Sequence, residues 1–274
     1  MTQVRYSYLS QQFSNCPDLW RELKKFVKTG DFTLGKPLQI FEKKFASLIG
    51  TKYAIGVNSG TDAIKLSLKC LDIKKGDEVI TAANTFVATV GAICEIGAIP
   101  KFVDVDDSFC MDIDLIEKKI TKKTKAIVAV HFTGYMTNMN KLKKISKKYK
   151  IPVVEDACQS ILASINGKNA GTWSDFGAFS LHPLKNINVW SDGGIIVTSN
   201  KKYFEKLKLL RNHGLKNRDE VVLTGYNSRL DTFQAVVGNW IIPKAKSIAK
   251  QRILNAKYYD EKLANIKGIK IPPR

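Results

Sequence analysis

No apolar run in this chain of 274 residues reaches the roughly 18 needed to cross a membrane as a helix. The opening Met1-Thr2-Gln3-Val4-Arg5-Tyr6-Ser7-Tyr8 lacks the apolar stretch of a secretory signal, so no such signal is expected. Cysteine is sparse: Cys16, Cys70, Cys94, Cys110 and Cys158 are scattered, with neither a CxxC pair nor a disulfide framework, a pattern that fits reduced, cytoplasmic thiols. Histidine is scarcer still. His131, His182 and His213 stand too far apart for a metal motif, so structural roles are expected for His131 and His182, and no metal site is expected. Arginine is also in short supply, at 7 of the 44 cationic side chains, although the net charge is +19. A chain built to grip phosphates and read bases would use more of arginine's fork and would interleave aromatics with its basic stretches. Here the lysines fall on helical faces such as Lys141 to Lys150, which read as solvated surface. Nucleic acid is therefore not the expected partner, whereas a basic field still favours an anionic substrate. Internal repeats and low-complexity segments are absent.

What is present is a hydrophobic fraction of 44%, enough for one large domain or for one domain and part of another. The chain alternates short apolar runs with helical periodicity. Strands are expected at 54–57, 78–81, 101–105, 125–130 and 151–155, with helices at 61–71, 85–96, 112–120 and 138–149 between or after them. That alternation predicts an α/β fold with a mostly parallel central sheet flanked by helices. Beyond Ala163 the rhythm changes to short strands at 163–165, 176–180 and 194–198. A helix at 203–212 follows, then a long helical stretch from Leu230 to Leu263 with a break before Pro243. The last residues, 268–274, read as a strand.

Four motifs carry chemistry. Asn58-Ser59-Gly60-Thr61 lies between a strand and a helix, where glycine permits close approach, the helix N-terminus offers unpaired N–H groups, and Ser59 and Thr61 add hydroxyls for a phosphate. A plain N-cap after a tight turn is the alternative. Asp156, in Val154-Glu155-Asp156-Ala157-Cys158-Gln159, follows an apolar strand, at the end where ligands sit in such sheets. A carboxylate there either keeps a pyridine nitrogen protonated or caps the next turn, and Gln159 lies within reach of a neighbouring phenolic oxygen. Lys185, in Phe179-Ser180-Leu181-His182-Pro183-Leu184-Lys185, stands in a segment that does not read as a solvated helix face. A lysine in an apolar or cationic setting becomes a nucleophile for carbonyls, and Ser180 supplies another hydroxyl. Phe86 either lies on a planar ring or belongs to the core. Gly225-Tyr226-Asn227-Ser228-Arg229 is a second polar element. Lysine, phosphate cradle and acid together suit pyridoxal 5'-phosphate (PLP), which enzymes hold through a lysine with an acidic partner at the ring nitrogen.

With Gly97-Ala98-Ile99-Pro100-Lys101-Phe102-Val103-Asp104-Val105, Val130-His131-Phe132-Thr133-Gly134 and Leu209-Leu210-Arg211-Asn212-His213-Gly214 added, the chain resembles the DegT/DnrJ/EryC1/StrS family of PLP-dependent sugar aminotransferases, of fold type I, from about Asp31 to Ala256. The resemblance implies Lys185 as the lysine that bonds PLP and Asp156 at the pyridine nitrogen. It implies Ser59, Gly60, Thr61 and Ser180 at the phosphate, Phe86 on the ring and Gln159 near its 3'-oxygen. It further implies a homodimer in which Asn227 reaches the neighbouring subunit's phosphate, while Arg229 is structural or binds a substrate anion. The implied activity is transfer of an amino group, with glutamate as donor, to a nucleotide-linked keto sugar carrying dTDP or UDP. Relatives that replace the lysine with histidine are dehydratases, a branch that Lys185 disfavours. Three segments are expected: 1–30 ahead of the core, 31–240 as the PLP-binding large domain, and 241–274 as a linker helix and the start of a C-terminal small domain that is otherwise missing. That shortness keeps two rivals open, a partner or PLP-binding subunit without turnover and a relative with other PLP chemistry.

Overall fold

The computed structural model describes residues 5–273. Three helices lead the chain: α1 (Leu9–Phe13), α2 (Pro17–Val27) and α3 (Lys36–Ile49). Then come β1 (Tyr53–Val57), α4 (Gly60–Cys70), β2 (Glu78–Ala82), α5 (Val87–Glu95), β3 (Ile99–Val103), β4 (Thr124–Val130), α6 (Met139–Tyr149) and β5 (Val153–Asp156). A small hairpin of β6 (Ser164–Ile165) and β7 (Lys168–Asn169) precedes β8 (Phe176–Ser180), β9 (Gly194–Thr198) and α7 (Lys201–Leu210). The described chain closes with α8 (Thr232–Ile241) and α9 (Ala245–Leu263), joined by a 3₁₀ turn at Ile242–Lys244 that contains Pro243.

Seven strands form one sheet in the order β1-β9-β8-β5-β4-β2-β3. Neighbours pair in parallel from β3 to β8, and only β9 runs against its neighbours. Strand residues alternate between two apolar layers, as the two-residue period of a strand requires. Ile55, Val79, Val128, Val154 and Ile196 face the layer that holds residues of α4, α5 and α7. Ala54, Ile80, Ile127, Val153 and Ile195 face the layer built by α2, α3, α6 and α8. Both faces are thus covered, which is why these strands are nearly continuous in apolar residues and not alternately polar. Leu19, Leu23 and Phe26 of α2 belong to the same core as Phe41 and Val237.

Local chemistry explains the helix ends. Asn138 and Asn200 cap α6 and α7 by accepting from the amides of Lys141 and Lys202. Pro17 and Pro37 stand in the first turns of α2 and α3, where a missing N–H costs nothing. Two expectations fail. The helix expected from Asp112 to Ile120 is two 3₁₀ turns, Ile113–Leu115 and Glu117–Lys119, although Asp112 does cap the first by accepting from the Asp114 amide. The strand expected over 268–274 is irregular chain through residue 273 and pairs with no strand of the described sheet.

Candidate active site

The C-terminal ends of β1, β2, β4, β5 and β8 converge on a cavity of about 300 Å³. In a sheet of this kind that is where a ligand sits. The cavity brings together Ser59, Gly60, Thr61, Phe86, Asp156, Gln159, Ser180 and Lys185, eight residues drawn from four separate segments. Asn227 is not among them. It is exposed and bridges to Asn212, in a segment tied back by the Ser228 amide donating to the Arg211 carbonyl at 3.0 Å. Arg229 donates to Asn212 Oδ1 at 3.0 Å.

The start of α4 forms one wall. Ser59 has extended backbone (φ −157°, ψ 168°), and its hydroxyl accepts from the Asp62 amide at 3.1 Å. The N-cap reading is therefore realised, and it leaves the Ser59 hydroxyl proton free to donate to a ligand. Gly60 must be glycine for lack of room: a Cβ there would stand 2.8 Å from Ser180 Cβ and 2.9 Å from Cys158 Sγ. Asp62, in the first turn, is balanced by Lys65 at 2.7 Å and accepts from the Ser228 hydroxyl at 2.6 Å. Burial pulls Lys65 down, but hydrogen bonds to Asp62 and Glu95 outweigh it, so its pKa is raised and the ammonium persists.

Asp156 ends β5 and is buried. Its Oδ2 accepts from Thr89 Oγ1 at 2.7 Å and its Oδ1 from the Cys158 amide at 3.2 Å. Thr89 is itself buried and 2.7 Å from Thr85 Oγ1, so a short hydroxyl chain from the start of α5 orients the carboxylate. Burial, then the nearby Asp156, push the Cys158 thiol well above its ordinary range, and Lys185 partly opposes them. A thiol so placed stays protonated and is no nucleophile at neutral pH.

Lys185 lies on the loop after β8, half-buried, its amide donating to the His182 carbonyl at 2.8 Å. Among the described residues its Nζ has neither a hydrogen bond nor an ion pair, unlike the buried Lys65. Gln159 accepts from the Thr133 amide at 3.0 Å through Oε1, which leaves its amide nitrogen to donate. Phe86 caps α5 at the cavity mouth and is 64% exposed, far from a core role. His131 lines the cavity but works for the fold: its Nδ1 accepts from the Thr137 amide, leaving the Nε2 proton to meet Glu155 at 3.0 Å. Glu155 in turn gathers the amides of Gly171, Trp173 and Ser174. His182 is exposed. The motif reading passed over Thr89, Thr85 and Asp192, all of which line the cavity.

The sequence profile of the DegT/DnrJ/EryC1/StrS aminotransferase family matches residues 17–274. The chain belongs to this family. Among curated relatives, UDP-N-acetyl-3-dehydro-alpha-D-glucosamine 3-aminotransferase of Acidithiobacillus ferrooxidans is 40% identical over 243 residues, covering 88% of this chain and 66% of the relative. The dTDP-3-amino-3,4,6-trideoxy-alpha-D-glucose transaminase of Micromonospora megalomicea subsp. nigra is 36% identical, covering 99% and 74%. The crystal structure of Streptomyces venezuelae DesV superposes with a TM-score of 0.97 at 33% identity, over 100% of this chain and 74% of that one. A Bacillus subtilis family structure with the amine form of the cofactor bound, PMP, superposes with a TM-score of 0.90 at 33% identity, over 97% and 62%. The chain thus spans about two thirds of the first relative's length. The fold is the fold type I large domain expected from the sequence, and PLP is the cofactor of the family.

Proposed function

We propose that this chain carries the catalytic core of a PLP-dependent aminotransferase that places an amino group on a nucleotide-linked keto sugar, with glutamate as donor. The observation that carries the reading is Lys185, an unpaired half-buried amine in the same cavity as the buried carboxylate of Asp156. The residues fit the cofactor. A wall at Gly60 that has no room for a side chain adjoins the N–H groups of α4, which suits a phosphate. Ser59, Thr61 and Ser180 add hydroxyls there, and Asp156 offers a buried carboxyl group, oriented by Thr89, to a ring nitrogen. Bound there, PLP supplies an electron sink and a carbonyl that carries the amine between substrates.

The chain's own residues do the rest. Phe86, exposed at the mouth, would cover the ring face and shed water from it. The Gln159 amide nitrogen, left over by the bond its Oε1 makes with the Thr133 amide, would be available to the ring's phenolic oxygen. Lys185 Nζ would hold the cofactor and, once released, would move the proton at the sugar carbon that receives nitrogen. Names of the relatives support a sugar ketone at C3, on a UDP or dTDP carrier. The surplus of lysine favours capture of that diphosphate. We place Asn227 in a homodimer, at the neighbouring subunit's phosphate; its exposure outside its own cavity supports this. The five cysteines are free thiols, which supports a cytoplasmic enzyme, and no helix among the described residues is long and apolar enough to cross a membrane.

The test is a two-stage assay on the purified protein with PLP. Glutamate should first convert the bound cofactor to its amine form, with 2-oxoglutarate released. A UDP- or dTDP-linked 3-keto sugar should then gain nitrogen and restore the starting spectrum. Failure of the second stage with both carriers, after a successful first, would remove the sugar assignment and leave the transaminase.

A further inference from the structure

Lys185 Nζ has no side-chain partner among the described residues, so its position rests on the backbone of its loop. That loop, from Leu181 to Asp192, is held from an unexpected direction. Asn188 is fully buried three residues after Lys185. Its Nδ2 donates to the Pro183 carbonyl at 2.6 Å and to Gln12 Oε1 at 3.1 Å, while Gln12 Nε2 donates back to Asn188 Oδ1 at 2.9 Å. One amide group therefore ties the backbone just before Lys185 to the backbone just after it. The reciprocal pair then fastens both to α1, 176 residues earlier in sequence. Phe13, next to Gln12, packs edge-on against Trp190 with ring centres 5.7 Å apart. On the far side, the Trp190 amide donates to the buried Gln234 of α8 at 2.8 Å. Apolar side chains would fill the same space, whereas a reciprocal amide pair fixes direction as well as distance. The helix α1 buries no residue of its own, so its hold on the loop rests on this pair and on the Phe13–Trp190 contact.

We propose that Gln12 and Asn188 are positioning residues for Lys185. They form a clasp through which α1 sets the approach of Nζ to a cofactor carbonyl. The inference rests on the functional reading above. Bond formation joins Nζ to the aldehyde carbon with loss of water, and it demands aligned atoms, since a misplacement of about 1 Å costs on the order of a hundredfold in such reactions.

The experiment compares PLP with pyridoxine 5'-phosphate, which has an alcohol where PLP has the aldehyde and cannot bond to Lys185. Dissociation constants for both are measured by fluorescence on the wild-type chain, Gln12→Ala and Gln12→Met. Methionine keeps the length and packing of glutamine but not its hydrogen bonds, and Gln12 is only partly buried, so both variants should fold. The wild type should prefer PLP. Each variant should weaken PLP about tenfold, the scale of two lost hydrogen bonds, with the alcohol unaffected. Equal weakening of both ligands, or no change in either, overturns the clasp and leaves the functional reading standing. A wild type that shows no preference for the aldehyde overturns the functional reading, and the clasp with it.

Discussion

Asp156 is buried, and each of its oxygens already accepts one hydrogen bond. Asp156→Asn preserves shape and can still accept from Thr89, but an amide cannot keep a pyridine nitrogen protonated. The half-reaction with glutamate, followed by stopped-flow absorbance, should slow by several orders of magnitude while PLP affinity falls little. A near-normal rate would place Asp156 elsewhere than at the ring nitrogen. That Asp156 and Lys185 would share one cavity was legible in sequence, because each stands at or after the end of a strand in a motif of fixed order. Thr89 was not, because its bond to Asp156 joins residues 67 apart, and nothing in a linear reading measures that separation in space. The Gln12–Asn188 pair was hidden for the same reason. For Cys158 the sequence showed only a thiol near an acid; its raised pKa comes from the walls that bury it.

At the scale of elements, the strand and helix alternation read from apolar periodicity stands, including β8 and β9 to the residue. The segment from Asp112 to Ile120 misled because Ile113, Ile116 and Ile120 recur at spacings of three and four and all pack on one core, a helical pattern, yet the chain there forms two short 3₁₀ turns. The junction of β1 and α4 makes the sharpest element-level test. Gly60→Ala would put a methyl into space already taken by Ser180 and Cys158. The start of α4 must then shift away from β8, at a cost of about 1–3 kcal/mol in stability. We expect a lower denaturation midpoint and a weakened hold on inorganic phosphate and on PLP alike, since both would use the same amides. Unchanged affinity for both, by calorimetry, would mean that the N-terminus of α4 is not the anion cradle.

For the whole molecule, the decisive question is how many chains complete a site. Asn227 is exposed and absent from its own cavity, so a role at the phosphate requires a neighbour. We expect a homodimer whose melting temperature rises with protein concentration and with PLP, because both act on the folded pair. Mixing the inactive variants Lys185→Ala and Asn227→Ala should restore activity, since one site of each mixed dimer carries both lesions and the other carries neither. Subunit exchange proven by mass spectrometry without recovered activity would show that Asn227 serves its own chain or no site. The centre of the account is the amine of Lys185, and one measurement addresses it directly. The intact protein is saturated with PLP, reduced with borohydride, digested and mapped by mass spectrometry. The account predicts a visible absorption band that reduction abolishes and a single stoichiometric tag on Lys185, out of 37 lysines in the chain. A tag on another lysine, or none at saturation, would contradict it.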